Sequence, residues 1–204
     1  MKSYTKNGKK VVPYTLAWDN MPIDLSYLFE EERPAGKHGF LTVSGDRFVF
    51  EDGTPGRFWG VNFNSGANFP SHEHSEKVAR RLAQTGVNLV RFHQMDAEWS
   101  TPNLFQFSRG KWLRDTQTLD PDSLDRLDYL IFCLKREGIY IYMDLLTYRR
   151  FKKEDGIACS DQMMDAAKPY VNFDRQLIEL QKKFCRQLWT HHNPYTGLAY
   201  KDEP

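Results

Sequence analysis

The chain has 204 residues, of which 40% are hydrophobic and 14% aromatic, so it is long enough for one domain with a packed core. Its 28 Lys and Arg against 27 Asp and Glu leave a net charge of +1, which argues against nucleic acid as a partner. No apolar run approaches the roughly 20 residues that span a bilayer, and no signal peptide is visible, so neither a membrane anchor nor a compartment is predicted.

Residues 1–38 are mixed and polar, and they contain Pro13, Pro22 and Pro34. Proline fixes its own backbone angle and lacks an N–H donor, so these residues interrupt long regular elements. We therefore predict a leader that wraps the domain.

A small antiparallel hairpin is predicted next, because two apolar runs at 40–43 and 48–50 are joined by a Ser-Gly-Asp turn. Residues 58–63 form an apolar strand. The strand ends among asparagines, of which Asn62 is the first, and a polar loop follows.

A helix and a strand follow this loop. From Ser75 the apolar residues recur with a helical period until Gly86, a typical helix stop. Residues 87–92 are nearly all apolar, which is typical of a strand covered on both faces in a parallel sheet.

The same order then returns. Asp120 can cap a helix with Pro121 in its first position, and Gly138 ends it. Residues 139–146 are the next strand. A third helix is predicted from Asn172 or Asp174 to about residue 193.

Repeated β/α units predict an α/β fold with a parallel sheet and right-handed crossovers. Both a barrel and an open sheet fit this pattern. No Gly-rich phosphate loop follows the first strand, so we favour the N-terminal part of a (β/α)₈ TIM barrel, preceded by the small hairpin. The organisation predicted is a single partial domain, with leader and hairpin in 1–57 and the first three β/α units in 58–204.

In such barrels the carboxyl ends of the strands face the active site. That rule selects six candidate substrate-binding residues, namely Asn62, Arg91, His93, Asp96, Trp99 and Asp144. Each has a plainer alternative. Asn62 could only cap a turn, Trp99 could pack its loop onto the barrel, and Asp144 could pair with an arginine.

Arg91 is the most informative of the six, because burying an arginine in an apolar strand without a partner is costly. We expect a carboxylate to face it in the complete fold, with a purely structural ion pair as the alternative. His93 and Asp96 lack further ligands for a metal, and the three cysteines, Cys133, Cys159 and Cys185, are widely spaced. Neither a metal nor a cofactor is predicted.

Three segments now carry a resemblance. Residues 52–62 (DGTPGRFWGVN), 86–93 (GVNLVRFH) and 137–146 (EGIYIYMDLL) resemble the hairpin with first strand, the second strand and the third strand of clan A glycoside hydrolases. The similarity is greatest to the cellulase and mannanase group of family 5. It spans about residues 40–204.

The resemblance implies a retaining β-glycosidase, in which one glutamic acid protonates the leaving oxygen and a second attacks the anomeric carbon. In the family these residues end strands four and seven, and the chain contains neither strand. Arg91 matches the family arginine that hydrogen-bonds the nucleophile. The family histidine after strand three has no match here, which leaves the sugar contacts open.

Three functions therefore remain. The first is a hydrolase of β-linked polysaccharide, such as glucan or mannan, of which this chain is an inactive portion that self-associates through its open barrel edge. The second is a non-catalytic carbohydrate-binding or scaffolding protein. The third is an unrelated hydrolase that uses Asp96, Glu98 or Asp144 as its carboxylates.

Overall fold

The computed structural model describes residues 4–11, 17–18, 21–108, 111–163 and 167–204. The helices in these ranges are α1 (His72–Gln84), α2 (Pro121–Arg136) and α3 (Arg175–Trp189). The strands are β1 (Tyr4–Lys6), β2 (Lys9–Val11), β3 (Leu41–Ser44), β4 (Arg47–Phe50), β5 (Gly60–Asn64), β6 (Leu89–His93), β7 (Phe107–Ser108), β8 (Lys111–Trp112) and β9 (Tyr140–Met143). None of the helices in these ranges has the length and apolar character needed to cross a bilayer.

The centre of the fold is a parallel sheet with the strand order β5, β6, β9. Its register places Val61 beside Val90 and Val90 beside Ile141. Val90 and Phe92 are fully buried in one core with apolar residues of α1 and α2. The alternate residues point to the other face of the sheet, where Arg91 and Tyr142 are exposed. The parallel sheet predicted from the β/α pattern is confirmed.

Local caps set the helix boundaries. Asp120 accepts hydrogen bonds from the backbone N–H groups of Asp122 and Ser123 at the start of α2, and Pro121 occupies the first position, as predicted. Helix α1 begins three residues before the predicted Ser75, because Ser71 provides the cap.

The leader lies against the ends of α1 and α2. The N–H group of Leu25 donates to the carbonyl of Gln84 at 3.0 Å, and that of Ala35 donates to Lys135 at 2.9 Å. Gly138 has φ +80° after α2, and a Cβ there would lie 3.2 Å from Phe29 Cβ, so the leader packs closely on this helix end. The predicted wrapping is present for residues 25–35, whereas Pro13 lies outside the described residues.

The leader also contains a hairpin that the sequence analysis overlooked. Strands β1 and β2 pair around Asn7 and Gly8, whose φ values of 51° and 72° are positive. An Asn-Gly pair is the strongest short-range signal for such a two-residue turn. The signal was therefore present in the sequence.

The second hairpin, formed by β3 and β4, lies where the sequence predicts it. His38 fastens it to the leader, because its Nδ1 atom lies 2.5 Å from Asp52 Oδ2 and Thr54 is nearby. The hydrogen bond that His38 donates to Asp52 raises the pKa of His38. Hydrogen bonds from Thr54 and His38 lower the pKa of Asp52 to about 2.

An apolar hollow of about 560 Å³ lies between this hairpin and β9. Its walls include Phe48 and Phe58 from the hairpin region, and Tyr140 and Met143 from the last strand. Within the part of the chain that the structure describes, β9 pairs with β6 only. The sheet therefore has an open edge beside an open apolar surface.

Candidate functional site

The carboxyl ends of the three parallel strands bring polar side chains to one edge of the sheet. These side chains are Asn62 and Asn64 in β5, Arg91 and His93 in β6, Tyr142 in β9, and Asp144 directly after it. The register sets Asn62 beside Arg91 and Arg91 beside Tyr142. All lie on the face that the helices leave open, so solvent can reach them.

Asp144 holds the two basic side chains of β6 together. Its Oδ1 atom accepts a hydrogen bond from Arg91 Nε at 3.2 Å, and its Oδ2 atom lies 2.8 Å from Arg91 Nη2. The Nδ1 atom of His93 also bonds to Oδ2. The Asp144 side chain is 11% exposed and that of Arg91 is 46% exposed. The Asp144 carboxylate is thus the buried group of this cluster, and the Arg91 guanidinium is the accessible one.

This geometry corrects one expectation. The family resemblance implies an acidic partner of Arg91 on a strand outside the chain, whereas the structure supplies Asp144, 53 residues further on. The alternative in which Asp144 pairs with an arginine is therefore realised. The ion pair uses Nε and Nη2 of Arg91 and leaves Nη1 for a further acceptor, so an ion pair and a substrate contact are compatible.

His93 is oriented by the same carboxylate. Its Nδ1 atom is bonded to Asp144, so Nε2 is the ring nitrogen that is left for a further partner. Nη1 of Arg91 and Nε2 of His93 are thus available for hydrogen bonds, two residues apart on one strand. Such a pair can bind adjacent hydroxyl groups of a sugar.

Asp96 is not a member of this cluster, which corrects its assignment as a substrate contact. It is only 3% exposed. Its carboxylate accepts hydrogen bonds from the backbone N–H groups of Thr147, Tyr148 and Arg149 and from the Thr147 hydroxyl. Asp96 therefore has a structural role, since it joins the loop after β6 to the loop after β9.

Arg149 is fully buried behind this loop, and no pattern in the sequence predicts its burial. Its guanidinium lies 4.4 Å from the ring centroid of Phe151 and 5.0 Å from that of Phe105. It donates to the Thr116 carbonyl at 2.7 Å and to the Leu180 carbonyl at 3.2 Å. Burial lowers the pKa of Arg149 to about 10.

The aromatic loop at 99–112 divides into two parts. Phe105 and Phe107 are buried and pack edge-on against Trp112, so packing is the correct interpretation for them. Trp99 is 56% exposed, and its Nε1–H group donates to Ser65 Oγ at 3.1 Å. It lies at the open ends of β5 and β6.

Two further residues at these strand ends have positive φ angles, which are uncommon outside glycine. Ser65 follows β5 with φ 53°, Gln94 follows β6 with φ 57°, and their side chains are hydrogen-bonded at 3.4 Å. Buried Asn68 donates to the carbonyls of Ser65 and His93. Left-handed non-glycine residues concentrate at functional sites, and the sequence analysis identified none of these three.

Among residues 4–11, 17–18, 21–108, 111–163 and 167–204, no three His, Cys, Asp or Glu side chains are grouped as ligands. His93 is bound to Asp144 instead. The arrangement can hold hydroxyl groups through donors and acceptors at the strand ends.

The fold is similar to those of several solved structures. The endo-1,4-β-mannanase from Rhizomucor miehei matches 81% of this chain with 21% identity and a TM-score of 0.58, over 46% of its own length. A variant of the family 5 glycoside hydrolase mannosidase from the same organism matches with 17% identity and a TM-score of 0.61, again over 46%. The endo-β-1,4-mannanase from Thermotoga petrophila matches 72% of this chain with 22% identity and a TM-score of 0.50.

The resemblance to the N-terminal portion of family 5 enzymes is confirmed at the level of the fold. The chain spans less than half the length of these solved structures. A scan of protein-family models finds no match. A search of curated proteins finds no relative.

Proposed function

We propose that this chain forms the first three β/α units of the catalytic barrel of a retaining glycoside hydrolase. In this proposal residues 1–57 are leader and hairpin, and residues 58–204 belong to the barrel. The observation that carries it is the position of half-exposed Arg91, fixed by Asp144 at the carboxyl ends of parallel strands. The mannanase and mannosidase structures with this fold support a β-linked glycan, such as mannan or glucan, as the substrate.

The chemistry requires two carboxyl groups about 5–5.5 Å apart. One protonates the glycosidic oxygen while the other attacks the anomeric carbon, and water then releases the sugar from the enzyme. Arg91 would hold the attacking carboxylate through its remaining N–H donors and keep it ionised, as a nearby cation does. Asp144 is the positioning residue for Arg91.

Both catalytic glutamates are proposed to come from strands four and seven, in further polypeptide or a partner subunit. The source of the acid is expected to be an Asn-Glu pair at the end of an apolar strand. The chain by itself would then bind glycan without cleaving it.

A non-catalytic carbohydrate-binding protein is the second candidate. It is favoured because the carboxylates near the cleft are already paired with basic side chains. Asp144 binds Arg91 and His93, and Glu98 lies 2.7 Å from Arg150. The third hypothesis, an unrelated hydrolase, loses Asp96 as a catalytic carboxylate, because that side chain is buried and saturated with donors.

Glycan binding tests the proposal. We expect β-1,4-mannohexaose or cellohexaose to bind the chain in isothermal titration calorimetry, and no reducing sugar to be released. Arg91→Ala should weaken binding about tenfold or more, because a charged hydrogen bond contributes about 1.5–3 kcal/mol. Arg33→Ala is the matched control, since Arg33 also pairs with a carboxylate, that of Glu137, but lies in the leader and not at the strand ends.

Cleavage of a glycan by the isolated chain would contradict the proposal that both catalytic glutamates lie outside it. Failure of every glycan to bind would refute both the first and the second candidate. An affinity that is the same in Arg91→Ala and in the unmodified chain would show that glycan binds elsewhere than at the strand ends.

The open edge of β9 is proposed to receive the next parallel strand of the barrel, and in the isolated chain it should cause self-association. We expect light scattering to show a mass that rises with concentration. Phe48→Glu, in the wall of the apolar hollow, should reduce it, whereas Phe173→Glu should not, although Phe173 is more exposed. A monomer at every concentration would contradict the proposal.

A further inference from the structure

Trp99 combines wide exposure with a fixed orientation. Its side chain is 56% exposed, yet its only polar atom, Nε1, donates to Ser65 Oγ. The Ser65 hydroxyl donates in turn to Gln94 Oε1 at 3.4 Å. The indole is therefore fastened to residues that directly follow β5 and β6.

Tyr148 supports the indole from a second direction. The two ring centroids are 4.7 Å apart with an angle of 60° between the planes, an edge-to-face contact. The ammonium of Lys168 lies 4.8 Å from the centroid of the Tyr148 ring. Tyr148 is thus held between a cation and the indole, which limits the motion of both rings.

The backbone beneath the two rings is also fixed. Asp96 accepts the N–H groups of residues 147–149, and Ala97 forms a bridge with Arg149. Trp99 is three residues after Asp96, and Tyr148 lies within the segment that Asp96 binds. The loop after β6 and the loop after β9 therefore form one block with both rings on its surface.

This block lies beside the Arg91 cluster. Asn68 joins the two regions, because its Nδ2 atom donates to the carbonyl of Ser65 at 2.7 Å and to that of His93 at 2.8 Å. Ser65 binds Trp99, and His93 binds Asp144. A ligand at Arg91 and His93 can thus extend onto the indole.

We propose that Trp99, supported by Tyr148, is a stacking site for a second pyranose ring, next to the ring bound by Arg91 and His93. The apolar C–H face of a β-linked pyranose matches the flat indole, and stacking leaves the hydroxyl groups in water. The inference rests on the proposed function for the sugar at Arg91. It adds that the cleft binds oligosaccharides better than monosaccharides, and that Asp96 is a positioning residue for this second site.

The test compares ligand lengths. For the unmodified chain, mannohexaose should bind more tightly than mannose in calorimetry, because mannose has no second ring to stack on Trp99. Trp99→Ala should weaken mannohexaose about two- to tenfold and leave the monosaccharide mannose nearly unchanged, since one aromatic contact contributes about 0.5–1.5 kcal/mol. Trp99→Phe keeps a ring but loses the bond to Ser65, so an intermediate loss is expected.

Trp59→Ala is the matched control, because Trp59 is 71% exposed and directly precedes β5, at the opposite end of that strand. Its affinity for both ligands should equal that of the unmodified chain. An equal loss in Trp59→Ala and Trp99→Ala would overturn the stacking site, because it would indicate general apolar adsorption.

The two proposals fail in different ways. If Arg91→Ala weakens both ligands and Trp99→Ala weakens neither, the stacking site is wrong and the proposed function stands. If the unmodified chain binds neither ligand, the proposed function is wrong and the stacking site falls with it. If Trp99→Ala loses its native circular dichroism spectrum, the Trp99→Phe affinities decide.

Discussion

Replacement of Asp96 by alanine is expected to lower the free energy of unfolding by about 3–5 kcal/mol. The substitution removes one buried carboxylate and leaves three backbone N–H groups and the Thr147 hydroxyl without their acceptor. It also removes an anion that favours the charged form of buried Arg149. A small domain has about 5–15 kcal/mol of stability, so the loss is a large fraction of the total.

Urea denaturation followed by circular dichroism measures this loss through the transition midpoint. Asp96→Asn keeps one acceptor oxygen but turns an NH₂ group toward N–H donors, so it should also destabilise the fold. Asp46→Ala is the control, because Asp46 is almost fully exposed and its substitution should change stability by less than about 1 kcal/mol. A loss below about 1 kcal/mol in Asp96→Ala would show that water replaces the carboxylate.

Arg149→Ala should lower the free energy of unfolding by a similar amount, about 3–5 kcal/mol. The substitution leaves a cavity among Phe105, Phe151 and Phe184, whose rings surround the guanidinium. It also leaves the carbonyls of Thr116 and Leu180 without the donors that they have now. Both the cavity and the unpaired carbonyl groups lower the free energy of unfolding.

The same denaturation experiment separates these two causes. Arg149→Met fills most of the cavity without the donors, so we expect it to recover part of the loss. Arg150→Ala removes the neighbouring, half-exposed arginine, whose pair with Glu98 should contribute at most about 1 kcal/mol. Equal effects at positions 149 and 150 would contradict the structural role given to Arg149.

Asp96 and Arg149 also explain why the two loops at the open end of the sheet are ordered. A sugar-binding loop must be fixed before its ligand arrives, because ordering it on binding would reduce the affinity. Here a buried carboxylate and a buried guanidinium fix the loops from within, while Trp99 and Arg91 remain accessible. Under the proposed function, stability and recognition would thus be divided between different residues of the same segments.

Much of the fold follows from short-range sequence signals. The cap at Asp120 with Pro121, the stop at Gly138 and the alternation of strand and helix all depend on residues within about one helical turn of each other. The positions of these helices and strands could therefore be predicted from the sequence, and so could the parallel sheet that repeated β/α units require. The Asn-Gly turn of the first hairpin was equally readable and was overlooked.

The pairing of the candidate site was decided by the tertiary structure. Asp144 meets Arg91 because β6 and β9 pair in parallel with Arg91 beside Tyr142, and no local pattern sets that register. Asp96 is likewise saturated by a loop about 50 residues away. The sequence by itself determined which residues reach the ends of the strands. Only the packing of the strands determined which charges neutralise one another there and which remain accessible, because burial and partner distance depend on the whole fold.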